Sequence, residues 1–114
     1  MADLFVQALM VHLVGDWILQ SDRVARLKTD LRQPAAWQHS GIHALGLLLV
    51  FPPAVALLVA LSHLLIDTRR PLLWLRQVLG QQPEGDRGRN FEIWQDQVVH
   101  LLVLFMAAAW VSKS

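Results

Sequence analysis

The apolar residues of this chain come in three blocks, Leu4–Leu19, Ile42–Ile66 and Val98–Val111, separated by polar stretches. Blocks of that length argue for helices with a bilayer as solvent. Pro52 and Pro53 divide the central block. Each proline ring removes a backbone donor and clashes with the preceding turn, so the pair predicts a hairpin and not one kinked helix. An unbroken helix over 35–68 would also be about 50 Å long, against a hydrocarbon core of about 30 Å. The pattern therefore predicts four long helices, Asp3–Ser21, Ala35–Phe51, Ala54–Thr68 and Phe91–Val111, with Pro34 in the first turn of the second. The polar, basic connection after the first helix predicts a short interfacial helix from Asp22 to Leu31. Leu72–Leu79 (LLWLRQVL) is amphipathic and predicts a helix lying flat on a membrane. Gly80–Asn90 (GQQPEGDRGRN) predicts a loop.

Composition turns these helices into a membrane protein. The 114 residues suffice for one domain, 1–114, but 54% are hydrophobic and only 17% charged. The mean hydropathy of +0.39 is too high for an ordinary soluble domain of this size. The expected fold is all-α: a four-helix transmembrane bundle with one or two short interfacial helices on the cytoplasmic side. The first and third connections carry Arg23, Arg26, Lys28, Arg32, Arg69, Arg70, Arg76, Arg87 and Arg89, against Lys113 alone on the side of the termini. That asymmetry places the basic side in the cytoplasm and both termini opposite. Trp17, Trp37, Trp74 and Trp94 fall near the cytoplasmic ends of their segments and Trp110 at the other end, as an aromatic belt does. The first helix lacks a basic leader and reads as retained. A net charge of +1 with interleaved acids argues against a nucleic-acid partner, and with no cysteine a thiolate metal site is excluded.

Polar residues inside the apolar blocks carry the candidate chemistry. His12, Asp16 and Gln20 are spaced i, i+4, i+8, as are Glu92, Asp96 and His100. His39 and His43, and His63 and Asp67, are each four apart, at matched distances from the proline pair. Four helices thus bring a pair each to the same depth near the cytoplasmic ends. Ionisable groups in a span are costly and need partners. Imidazole and carboxylate on facing helices at i, i+3 or i+4 are how bundles build metal sites. The expected ligands are His12, Asp16, His43, His63, Asp67, Asp96 and His100, around one or two divalent ions, with zinc favoured over iron or manganese. Gln20, Gln97, Ser62 and His39 are expected as outer-shell or substrate contacts. His39, beside Trp37 and Gln38, is expected to face headgroups, and Glu92 to be a solvated acid in the first helical turn. Gly15 and Gly46 are expected to permit close helix packing.

These motifs stand as HLVGDWILQ, HALGL, HLLID and DQVVH, and they cover essentially the whole chain. The set resembles a family of small bacterial and phage integral-membrane proteins of unknown function. More loosely it is similar to LexA-regulated inner-membrane proteins described as metal-dependent hydrolases, which are themselves likened to zinc-dependent phospholipase C. The resemblance implies a multi-pass protein of the bacterial inner membrane with a metal site.

The leading expectation is a membrane-embedded metal-dependent hydrolase acting on a lipid phosphoester or lipid-linked substrate, with Asp16 or Asp96 as general base. The alternatives are a non-enzymatic metal transporter, sensor or metal-stabilised module, and a bundle holding haem between two histidines. Spans this short are compatible with a homo-oligomer.

Overall fold

The computed structural model describes residues 1–81 and 85–113, with the side chains of 85–89 left aside. Every regular element among the described residues is helical. Helix α1 (Ala2–Leu13) runs without a break into a π turn, Val14–Ile18. Helix α2 (Asp22–Leu27) follows, and the Ser21 hydroxyl caps it by accepting from the Val24 N–H at 3.2 Å. Helix α3 (Pro34–Leu47) starts on Pro34, whose missing N–H costs nothing there. Helix α4 (Pro53–Asp67) starts on the second residue of the proline pair. Helices α5 (Arg70–Leu79) and α6 (Gly85–Lys113) complete the chain.

The long helices form a closed ring in which α1 packs on α3, α3 on α4, α4 on α6 and α6 on α1. Helix α2 leans on α3 and α5 on α4. The predicted hairpin is therefore present, but α3 stops at Leu47, four residues short of expectation. Phe51 precedes a proline and is biased away from the α region, so Leu48–Phe51 turns instead. Helix α2 likewise ends at Leu27 and not at Leu31. Helix α6 begins six residues before the expected Phe91, which makes 85–90 helical and not loop. Extending an existing helix is far cheaper than nucleating one, and that overrides the glycine content. Residues 82–84 of the expected loop, and the side chains of Arg87 and Arg89, lie outside the described residues.

Length matters for the membrane expectation. Asn90–Lys113 of α6 is long and apolar enough to cross a bilayer. Helices α3 and α4, at 14 and 15 residues, fall short of the roughly 20 that a span requires.

The bundle interior has two layers. An apolar layer of Ala8, Leu47, Phe51, Ala56, Val59, Leu104 and Ala108 closes the proline end. Towards the other end the interior is polar, and His12, Asp16, His39, His43, His63, Asp67 and His100 are all buried. The exterior carries the oil: Val6 and Met10 on α1, Leu45 on α3, Leu49 in the turn after it, Leu58 and Leu65 on α4, Met106 and Trp110 on α6 are exposed, Leu49 to 87%. Large apolar side chains thus stand exposed outside an interior that is itself part apolar, part polar.

Candidate metal centre

Each wall of the ring supplies its pair. Helix α3 presents His39 and His43, α4 presents His63 and Asp67, and α6 presents Asp96 and His100. Helix α1 supplies His12, and the π turn supplies Asp16. In that turn the Leu19 N–H donates to the Val14 carbonyl at 2.9 Å, five residues back. Gly15, inside the turn, lies directly under the His43 ring, where a Cβ would sit 2.6 Å from His43 Nε2. Gly46 is equally tight, with its would-be Cβ 2.6 Å from a Val11 methyl. Both glycines thus bring α1 and α3 close, as the sequence suggested.

The two most buried carboxylates lie among the five imidazoles. Asp16 Oδ1 is 3.0 Å from His43 Nε2, 3.1 Å from His39 Nε2 and 3.5 Å from His63 Nε2. Its other oxygen is 3.3 Å from His12 Nε2. Asp67 Oδ2 is 3.0 Å from His63 Nδ1 and 3.5 Å from His39 Nε2, and Asp67 Oδ1 is 3.4 Å from His100 Nε2. Donor atoms gather into three overlapping groups: His12, Asp16, His43 and His63; His39, His63 and Asp67; and Asp67, Asp96 and His100. Within each group the donors lie within 4.8 Å of one another. Tetrahedral ligands at about 2.0–2.1 Å from zinc stand roughly 3.3 Å apart, so these spacings suit a metal shell.

Hydrogen bonds alone do not satisfy the cluster. His100 Nδ1 donates to the Asp96 carbonyl at 2.7 Å, which leaves a lone pair on His100 Nε2. His63 Nδ1 lies 3.1 Å from that lone pair and 3.0 Å from Asp67 Oδ2, two acceptors, so it carries the ring proton and a neutral His63 has its own lone pair on Nε2. This atom faces Asp16 Oδ1, and two acceptors face each other with no proton between them. His39 Nε2, His63 Nε2 and Asp67 Oδ1 are all buried without a hydrogen-bond partner. Unpaired buried polar and charged groups cost several kcal/mol, and a cation among them removes the conflict.

The remaining expected residues take varied places. Gln97 Nε2 donates towards Asp16 Oδ2 at 3.4 Å and Asp96 Oδ2 at 3.3 Å, which turns its carbonyl oxygen to His12. His12 Nε2 therefore donates to Gln97 Oε1 at 2.9 Å. Gln20 sits at the rim with its Oε1 buried and unpartnered. Ser62 donates to the Val59 carbonyl at 2.7 Å and touches none of the cluster's imidazoles or carboxylates through a hydrogen bond. His39, expected at the headgroups, is 1% exposed and reaches both Asp16 and Asp67. Glu92, expected as a solvated first-turn acid, lies well inside α6 and accepts from Arg76 Nη1 at 2.8 Å.

A cleft of about 270 Å³ leads to the cluster past Asp16, Gln20, Lys28, Arg69, Asp96 and Gln97. Lys28 was read from the sequence only as a topology signal, though its Nζ is 3.6 Å from Asp67 Oδ1. No helical spacing links Lys28 to the ligands. The chain reversal after Ile18 brings α2 back over the bundle mouth. Ser40 was also missed. It is buried and donates to the Ala60 carbonyl at 2.8 Å, tying α3 to α4. Its signal was available, since it sits on the His39 and His43 face of α3.

A family described as "protein of unknown function" (DUF3307) matches residues 4–114. The chain belongs to that family. No curated protein and no solved structure matches it.

Proposed function

We propose that this member of a family of unknown function is a membrane-embedded protein holding a divalent ion. We further propose that it hydrolyses a lipid phosphoester or lipid-linked substrate at the cytoplasmic face of the bacterial inner membrane. The observation that carries the metal reading is a buried site in which His39 Nε2 and His63 Nε2 have no hydrogen-bond partner beside the Asp16 carboxylate. His12, Asp16, His43 and His63 present the inner ligand set. Zinc suits imidazole-rich sites with one carboxylate, and iron or manganese remain within the same ligand chemistry. The void beside His12, His43, His63 and His100 is about 10 Å³, which suits an ion and not a porphyrin. The ring of exposed leucines around a polar interior supports the bilayer as surroundings. The tryptophans at both ends, Trp17, Trp37, Trp74, Trp94 and Trp110, are all more than half exposed, as interfacial anchors are.

Hydrolysis is supported by the cleft. A bound divalent ion lowers the pKa of a water and polarises an ester. Asp96 lines the cleft, and its side chain touches Gln97 and, at 3.6 Å, His100 Nδ1, so it is free to take a proton. Asp16 is engaged on both oxygens and serves as ligand. Gln97 fixes the distance between the two.

The test is phosphate or headgroup release from phospholipid vesicles by the purified protein, before and after chelation and zinc return. Zinc-dependent release abolished in His63→Ala is expected. Bound zinc without release by any vesicle would leave a non-enzymatic metal module, transporter or sensor.

A further inference from the structure

We infer that Lys28 takes the place of a second metal ion: its ammonium is the built-in cation of the outer triad Asp67, Asp96 and His100, and it restricts the centre to one divalent ion. The inference rests on the metal reading above.

The outer triad is a second set of metal ligands by type and spacing, with its donors within 4.8 Å of one another. Asp67 is 3% exposed, and its Oδ1 has no hydrogen-bond partner. That oxygen is the one Lys28 Nζ approaches, at 3.6 Å, and His100 Nε2 lies 3.4 Å from the same atom. The Lys28 side chain is 11% exposed, so its charge sits inside the mouth and not in solvent. Three arginines are engaged elsewhere. Arg32 pairs with Asp30 at 3.2 Å, holding the Asp30 carboxyl below the usual range, and Arg76 and Arg69 face Glu92.

Charge decides the count. Asp16, Asp67 and Asp96 contribute three negative charges, and imidazoles bind metal only when neutral. Lys28 leaves two negative charges, which one divalent ion cancels. A second ion beside Lys28 would leave the buried site with two positive charges and no counterion, a costly state in a low-dielectric interior. Without Lys28 the three carboxylates stand three charges short of neutrality, and the outer triad is open to a second ion. Helix α2 carries Lys28 as its C-cap residue, which positions the ammonium over α4 and α6.

The experiment is zinc stoichiometry by elemental analysis of the purified full chain after equilibration with excess zinc and desalting. One zinc per chain is expected for the wild type and two for Lys28→Gln. One is expected again for Lys28→Arg and for the double variant Lys28→Gln/His100→Ala. A measurement independent of how Lys28 variants fold is His100→Ala in the wild-type background. It stays at one zinc if the outer triad holds no ion, and falls from two to one in a dinuclear centre. Two zinc ions in the wild type, or one in a folded Lys28→Gln, overturn the role of Lys28 and leave the metal centre intact. No zinc in any form overturns the centre itself.

Discussion

Asp16 and Asp96 lie within reach of the same amide, Gln97, yet their surroundings assign them different work. Asp16 is buried among four imidazoles, whereas Asp96 is half-buried and borders the cleft. Asp16→Asn should therefore abolish metal retention, measured as zinc per chain after desalting. Asp96→Asn should keep the zinc and lower hydrolysis by about 10²–10⁴-fold, the range for loss of a general base. Equal metal loss in both variants would contradict this division. Gly15 offers a subtler handle. Gly15→Ala puts a methyl 2.6 Å from His43 Nε2, so the ring must swing away from Asp16. Zinc affinity should fall about 10–100-fold, as for other displaced ligand-orienting contacts, by competition with a chromogenic chelator.

At the scale of elements, the turn between α4 and α5 holds the one non-glycine residue of positive φ among the described residues. Arg69 follows the end of α4 with φ 64, the left-handed conformation that glycine or asparagine usually supplies. Its ion pair with Glu92 is long, at 3.9 Å, and half-exposed, so it offsets little. Arg69→Gly should stabilise the folded chain by up to about 1 kcal/mol, read as a higher Tm in detergent. A lower Tm would mean that Arg69 makes contacts worth more than its backbone strain. The helices themselves were legible because 3.6-residue periodicity and proline chemistry are local. The pairs His12 and Asp16, His63 and Asp67, and Asp96 and His100 were legible for the same reason. His39 was misplaced because proximity to Trp37 says where a residue falls along the helix and not which way it faces. On the helix, His39 shares the face of His43, and that face is turned inward. Lys28 and the π turn depend on how the chain doubles back after Ile18, and no period in the sequence encodes that.

Across the whole molecule, the apolar layer of the interior occupies the proline end, while the polar end buries the imidazoles and carboxylates. An ion that binds the folded chain alone stabilises it by about 2.7 kcal/mol at a free concentration one hundred times its Kd. A chelator should accordingly lower the Tm in detergent by several degrees, and zinc should restore it. The apolar exterior makes a further expectation: the protein stays in the membrane pellet through an alkaline carbonate wash and leaves it only in detergent. Release into the aqueous wash would contradict the bilayer reading while leaving the metal centre untouched.

The central claim is that the inner group of His12, Asp16, His43 and His63 holds a divalent ion. Calorimetric titration of chelator-stripped protein with zinc tests it most directly. One tight site per chain is predicted for the wild type, weakened at least about 100-fold, some 2.7 kcal/mol, in His63→Ala. A wild-type chain that takes up no zinc, iron or manganese, or a folded His63→Ala that binds as tightly as the wild type, would contradict it.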